Sequence, residues 1–239
     1  MLQTKKIEYH DGKTLLEGYY AYNDKISGKR PAILVAHDWS GRNEFACQKA
    51  EKLAELGYIG FALDMFGKEV RGNTKDEKMA LIKPLMENRN ALVQRILSAF
   101  NTVKTLEQVD HANVGAIGFC FGGLCVLDLA RAGAAVQGVV SFHGLLNAPQ
   151  NLKPHAIQAK VLVLHGHDDP MVPSSLVTEF QQEMTAAKVD WQMHIYGNTM
   201  HAFTNPQAND PGFGTVYNPI ADSRSWMLMK NFFIEIFNS

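Results

Sequence analysis

Cysteine is scarce in this chain and odd in number, three among 239 residues. Cys47, Cys120 and Cys125 show no framework spacing, which excludes a scaffold stapled by disulfides and makes a reducing cytoplasm the expected location. An excess of charge of one sign is also lacking. Lys and Arg number 23 against 24 Asp and Glu, for a formal net charge of −1, so electrostatics gives no case for nucleic acid or an anionic membrane as partner. No apolar run is long enough to span a bilayer, and Met1 to Lys6 lacks the apolar stretch of a secretory signal. Helical zinc motifs and paired-cysteine sites are missing too. The expectation is a soluble protein acting on a small molecule, with no metal and no cofactor.

What is present suits a substantial core. With 46% hydrophobic residues, residues 1–239 can form one α/β domain. Lys5 to His10 and Thr14 to Ala21 flank Asp11-Gly12, a hairpin signal. Ala32 to Ala36 and Ile59 to Leu63 are continuous apolar runs, suited to strands covered on both faces. Val114 to Ile117, Val136 to Phe142, Val161 to Leu164 and Trp191 to Tyr196 read as further strands. Helices are expected over Glu44 to Leu56, closed by Gly57, and over Asn90 to Gln108, Leu124 to Ala132, Ser174 to Ala187 and Ala221 to Phe237. In the second of these, Val93, Ile96, Leu97, Phe100 and Val103 form one stripe. Such alternation implies a mostly parallel central sheet with helices on both faces and an N-terminal antiparallel hairpin at its edge. Phe66 to Glu77 and Thr204 to Ile220 read as long surface loops, able either to shape a substrate site or merely to pin themselves to the body.

The run Gly118-Phe119-Cys120-Phe121-Gly122-Gly123 joins a strand to a helix and has the form of a nucleophile elbow, with cysteine where serine usually stands. A nucleophile at the tip of so tight a turn needs neighbours without a Cβ, here Gly118 and Gly122. The helix N-terminus favours a thiolate. Taken alone, Cys120 could equally be a small buried cysteine in a glycine-rich turn. Its partners argue for chemistry. Elbow hydrolases order their triad as nucleophile, acid and histidine. Asp169 follows the strand ending at Leu164, chosen over its neighbour Asp168, and His201 follows the strand ending at Tyr196.

These segments resemble the dienelactone hydrolase family of the α/β-hydrolase fold over essentially the whole chain. The resemblance rests on the elbow, on His165-Gly166 with Asp169 and Val172-Pro173, on His201-Ala202-Phe203, and on Ala36-His37-Asp38-Trp39-Ser40-Gly41. It implies hydrolysis of lactones or activated esters by Cys120, His201 and Asp169. It also implies that Asp38 lies close to the resting thiol, and that Trp39 and Phe121 supply the two oxyanion-hole N–H groups. A carboxylate beside the thiol would disfavour the thiolate in the free enzyme, although Asp38 can also be read as a helix cap or turn residue. One departure bears on substrate. The family's arginine four residues after the histidine is Asn205 here, and Arg71 and Arg89 cannot be aligned with its second arginine. Asparagine cannot make the forked, charged contact of an arginine with a carboxylate, so neutral esters are expected over carboxylate-bearing lactones.

Other residues carry two readings. His143, after a strand on the same side of the sheet, can touch substrate or serve as a structural polar group. Phe203 and Asn205, with Phe213 and Tyr217, can line a pocket. His165-Gly166-His167-Asp168-Asp169 superficially resembles the histidine-acid cluster of metallo-β-lactamase-type zinc hydrolases, but it continues with Pro170 where that pattern has another histidine. His165 is expected to be a hydrogen-bonded core residue, and Cys47 and Cys125 to be packing residues. The alternative function is a catalytically weak scaffold that binds small molecules or proteins. Such a scaffold would lack at least one catalytic element, and none is missing. A monomer or weak homodimer is expected.

Overall fold

The computed structural model describes residues 1–151 and 155–238. Its elements run β1 (Leu2–Asp11), β2 (Thr14–Asn23), β3 (Arg30–Ala36), α1 (Glu44–Glu55), β4 (Ile59–Ala62), α2 (Lys75–Glu87), α3 (Arg89–Lys104), β5 (Val109–Phe119) and α4 (Phe121–Arg131). They continue with β6 (Gly138–Phe142), β7 (Lys160–Gly166), α5 (Ser174–Ala186), β8 (Trp191–Tyr196), β9 (Asn209–Asp210), β10 (Thr215–Val216) and α6 (Pro219–Phe237). Eight strands form one sheet in the order β1-β2-β4-β3-β5-β6-β7-β8. β1 pairs antiparallel with β2, and β2 antiparallel with β4. The other pairings are parallel. The leading hairpin and the parallel sheet stand as expected.

The period of two along a strand explains the two layers. Ala32, Leu34 and Ala36 of β3 enter one core with Leu92 and Ile96 of α3 and Leu124 and Leu127 of α4. Ile33 and Val35 enter the other with Ala50 and Leu53 of α1 and Met229 and Phe233 of α6. Strands buried on both sides are therefore apolar, as β4 is throughout and β6 is except for Ser141. The loops leaving the C-terminal ends of β3, β5, β6, β7 and β8 converge on one rim of the sheet, where open α/β sheets place their ligands.

Three stretches differ from the sequence expectation. The loop read over 66–77 runs directly into α2, a helix the apolar pattern does not announce because only Ile82 and Leu85 are buried and Pro84 sits inside it. Its signal is the capping box: the Thr74 hydroxyl accepts from the Glu77 N–H at 3.2 Å, and the Glu77 carboxylate accepts from the Thr74 N–H. α3 stops at Lys104 because β5 begins at Val109, with a register break between Arg30 and Ala32 of its partner β3. The long segment after β8 contains the short β9–β10 hairpin, and Asn218 caps α6 from outside, so the helix starts at Pro219. No helix among the described residues is long and apolar enough to cross a membrane.

Candidate active site

Cys120 stands between β5 and α4 with φ 55° and ψ −118°, a region that ordinary side chains avoid. The turn holds because backbone crowds the flanking glycines. A Cβ on Gly118 would lie 2.0 Å from the Gly122 carbonyl oxygen, and one on Gly122 would lie 2.1 Å from that of Ala36. The Cys120 N–H donates to the Phe142 carbonyl at 3.1 Å, and its own carbonyl accepts from the Gly123 N–H at 2.9 Å. The thiol thereby sits at the N-terminus of α4, where the helix dipole favours negative charge.

His201 is buried in the loop after β8, held by backbone bonds to Gly214 and Val216. Its Nδ1 donates to Asp169 Oδ2 at 2.7 Å. The other carboxylate oxygen of Asp169 accepts from the Met171 N–H at 2.9 Å, which locks the acid. Asp168 is exposed, so of the two neighbouring acids Asp169 is the one that reaches the imidazole. Apart from Cys120, His201 Nε2 has no hydrogen-bond partner among the described residues, and the Cys120 side chain acts on the ring both as a hydrogen-bond partner and by charge. Burial alone would push the imidazole down. The negative charge of Cys120 and the bond to Asp169 outweigh it and hold the pKa up at about 10.

Asp38, Trp39, Cys120, Phe121, His143, His201 and Asn205 all border one cavity of about 420 Å³, a size suited to a small organic ligand. The Asp38 carboxylate accepts from the Ser40 N–H at 2.8 Å. It is thus a turn residue that also faces the cavity, and Asn43 is the cap of α1. The backbone N–H groups of Trp39 and Phe121 have no acceptor among the described residues. The Trp39 ring stacks on Phe213, with centroids 5.5 Å apart.

Several expectations need correction. Phe203 does not line the cavity. It is fully buried beneath it, 5.0 Å edge-on from His143 and 5.5 Å from Tyr196, because an apolar ring two residues past His201 falls on the inward side of the turn. Tyr217 turns away, its hydroxyl donating to Asp222 at 3.3 Å. His165 is buried, but its Nδ1 has no hydrogen-bond partner among the described residues. Cys47 is more than filler: Arg42 donates to its sulfur at 3.6 Å. Arg89 forks onto Asp128, one arm at 2.7 Å, in a buried cluster with Arg131, and neither it nor Arg71 borders the cavity. Besides the His201 imidazolium, the cations that do are Lys75 and Lys78, carried by the helix that the sequence pattern conceals. Among the described residues no group of three or more His, Cys, Asp or Glu is placed to hold a metal ion.

His143 both borders the cavity and supports its wall. Its Nε2 bonds the Thr204 hydroxyl at 2.8 Å, and its ring meets His201 edge-on at 5.1 Å. Burial, then the neighbouring His201 and Lys49, push its pKa well below the usual histidine value, so it stands neutral beside the charged ring. Lys49 is itself unexpected. It is buried behind the cavity wall, its ammonium 4.9 Å from the Phe45 ring, 5.4 Å from Phe119 and 5.0 Å from Trp226, with Asp222 at 3.7 Å. Burial lowers its pKa to about 8 despite Asp222. The folded state therefore binds fewer protons than the unfolded one between about 8 and the ordinary lysine value of 10.5. Lys49 thus adds stability as pH rises through that window. Lys49→Met should remove this rise, so that the variant gains on the wild type at pH 7 and loses the gain by pH 10.5, as read by denaturant unfolding at both pH values.

The comparisons with known proteins agree on one family. A family model described as the dienelactone hydrolase family matches residues 16–237. The chain is similar to the solved structure of a dienelactone hydrolase-like promiscuous phosphotriesterase from metagenomic libraries, with a TM-score of 0.93, 36% identity and 98% of each chain covered. It is also similar to a solved structure named m3DLH, at a TM-score of 0.93, 34% identity and 98% of each chain. An uncharacterized protein of Caenorhabditis elegans is 35% identical over 157 residues, 64% of this chain and 99% of that protein.

Proposed function

The chain belongs to the dienelactone hydrolase family, within the α/β-hydrolase superfamily, and on that premise we propose that it hydrolyses carboxylic esters or lactones with Cys120 as nucleophile, His201 as proton carrier and Asp169 as its orienting acid. Hydrolysis of esters and lactones is the chemistry of the family. The assignment of residues rests on one observation above the others: the elbow thiol and His201 border the same cavity, with Nδ1 of His201 committed to Asp169 behind it and the other side of the ring left to Cys120. Cys47 does not compete for the role. It lies on α1 away from the cavity, and burial pushes its thiol up.

In this reading the Cys120 thiolate attacks the carbonyl carbon and the carbonyl electron pair moves onto oxygen. The N–H groups of Trp39 and Phe121, both without another acceptor among the described residues, receive the oxyanion. Collapse breaks the ester C–O bond, and the His201 imidazolium gives its proton to the departing oxygen. Neutral His201 then takes a proton from water as water attacks the thioester. The second collapse releases the acid and restores the thiolate–imidazolium pair. Asp169 stays ionised throughout and fixes the ring so that Nε2 faces the reacting atoms.

Asn205 borders the cavity, and among the described residues no arginine does. Lys75 is already paired with Asp210 at 2.7 Å. A carboxylate-bearing lactone would therefore depend on Lys78, and neutral esters are the better match. The decisive experiment is to trap the acyl-enzyme. Mixing with a slowly deacylating activated ester should add one acyl mass, found by peptide mapping on Cys120 and absent from Cys120→Ala. An adduct on Cys47 alone, or unchanged turnover by Cys120→Ala, would overturn the assignment.

A further inference from the structure

One face of α2 borders the cavity as well as meeting the core through Ile82 and Met86. Lys75, Lys78, Met79, Ile82 and Met86 all border it, at spacings that keep them on one helical stripe. Met79 is 46% exposed, although a core-packing stripe would cover it. The stripe is graded along its length. Its N-terminal end meets the loop between β8 and α6, where Lys75 pairs with Asp210 and lies 4.5 Å from the Phe213 ring centroid. Its C-terminal end meets the segment after β6, where Asn151 donates to the Glu87 carbonyl at 3.0 Å. Lys75 and Met86 are roughly 16 Å apart along the axis.

The lining adds Leu145 and Met171, from the loops after β6 and β7, both partly buried against the core. The charged lining groups Asp38, Lys75, Lys78 and Asp210 come from the loop after β3, the start of α2 and the loop between β8 and α6. We propose that Met79, Ile82, Met86, Leu145 and Met171 form an apolar subsite, and that the substrate is an ester or lactone with an extended apolar arm, aryl or branched alkyl, seated there. The proposal rests on the Cys120 reading above. Three of the five side chains are methionines, whose flexible thioethers adapt to several shapes and make favourable contacts with aromatic rings. A compact, highly charged lactone would leave this end of the cavity unused.

Two ester series test it on the intact protein. In one, 4-nitrophenyl esters run from acetyl through butanoyl and hexanoyl to phenylacetyl. In the other, acetates carry alcohols of increasing apolar size. In at least one series kcat/KM should rise by roughly threefold per added methylene while the arm fills the subsite. Met86→Gln should lower the ratio between the longest and shortest esters by at least tenfold. A flat or falling profile in both series of the wild type overturns the subsite. Non-hydrolysable ketones bearing the same arms separate the subsite from the chemistry. If calorimetry shows affinity rising with arm size in the wild type and less so in Met86→Gln, the subsite stands even where no ester turns over, and only the Cys120 reading falls. Ketones that bind no tighter with longer arms overturn the subsite whatever the turnover.

Discussion

Asp169→Asn is expected to lower kcat/KM for a good ester substrate by about 10³–10⁴-fold while leaving the fold intact. The size of the effect follows from the two jobs of the carboxylate. One oxygen accepts from the Met171 N–H and the other from His201 Nδ1–H. An asparagine satisfying Met171 with its carbonyl must turn its NH₂ toward Nδ1, which then has to be the unprotonated nitrogen. The proton moves to Nε2 and faces the nucleophile, the wrong tautomer for accepting a proton. The same change removes one of the two influences that hold the imidazole at about 10 against burial. The sign of the stability effect follows. A histidine raised from 6.5 to about 10 contributes stability that is complete below 6.5 and lost as pH rises through the folded value. The stability gap between wild type and Asp169→Asn should therefore be widest near pH 6 and narrow toward pH 10. Steady-state kinetics with unfolding curves at the two pH values check both halves. A loss of activity below tenfold would mean that another group orients His201.

The elbow and Asp169 are legible because each follows an apolar run, Val114 to Ile117 and Val161 to Leu164, His201 because it follows the alternating run Trp191 to Tyr196, and the glycines around Cys120 because the tight turn there leaves no room for a Cβ. The choice of Asp169 over Asp168 was legible only as a preference for position, and burial separates the two. α2 was hidden for a physical reason: a helix whose face lines a cavity shows no apolar stripe of core width, and Pro84 argues against it. Only the Thr74–Glu77 box could have revealed it. Lys49 was beyond reach, since its cage joins Phe45, one turn back on α1, to Phe119 and Trp226 from two distant segments. Phe203 was misassigned because proximity to His201 in sequence says nothing about which side of a turn a ring occupies. Asn205 is equally local: its place four residues after His201 carries no information about Lys75 and Lys78, which reach the cavity from α2.

Two substitutions two residues apart should move stability in opposite directions. Gly118→Ala places a Cβ 2.0 Å from the Gly122 oxygen, 2.3 Å from its carbonyl carbon and 2.7 Å from the Gly123 nitrogen. All three are backbone atoms of the elbow and the first turn of α4, so no side chain can swing aside. Relief requires β5 and α4 to separate, at a cost of about 3 kcal/mol, or a fall in Tm of roughly 6–12 °C for a chain of this size. Cys120→Gly does the reverse. At φ 55° and ψ −118° a residue with a Cβ holds strain of about 1–3 kcal/mol, partly offset by the greater freedom of glycine in the unfolded chain. The variant should melt at or above the wild-type temperature while losing hydrolysis. That pairing of lost activity with retained or increased stability is what a nucleophile held in strained backbone predicts. A Cys120→Gly variant that melts well below the wild type would show that the thiol is part of the packing, and would return Cys120 to the role of a small buried residue in a glycine-rich turn.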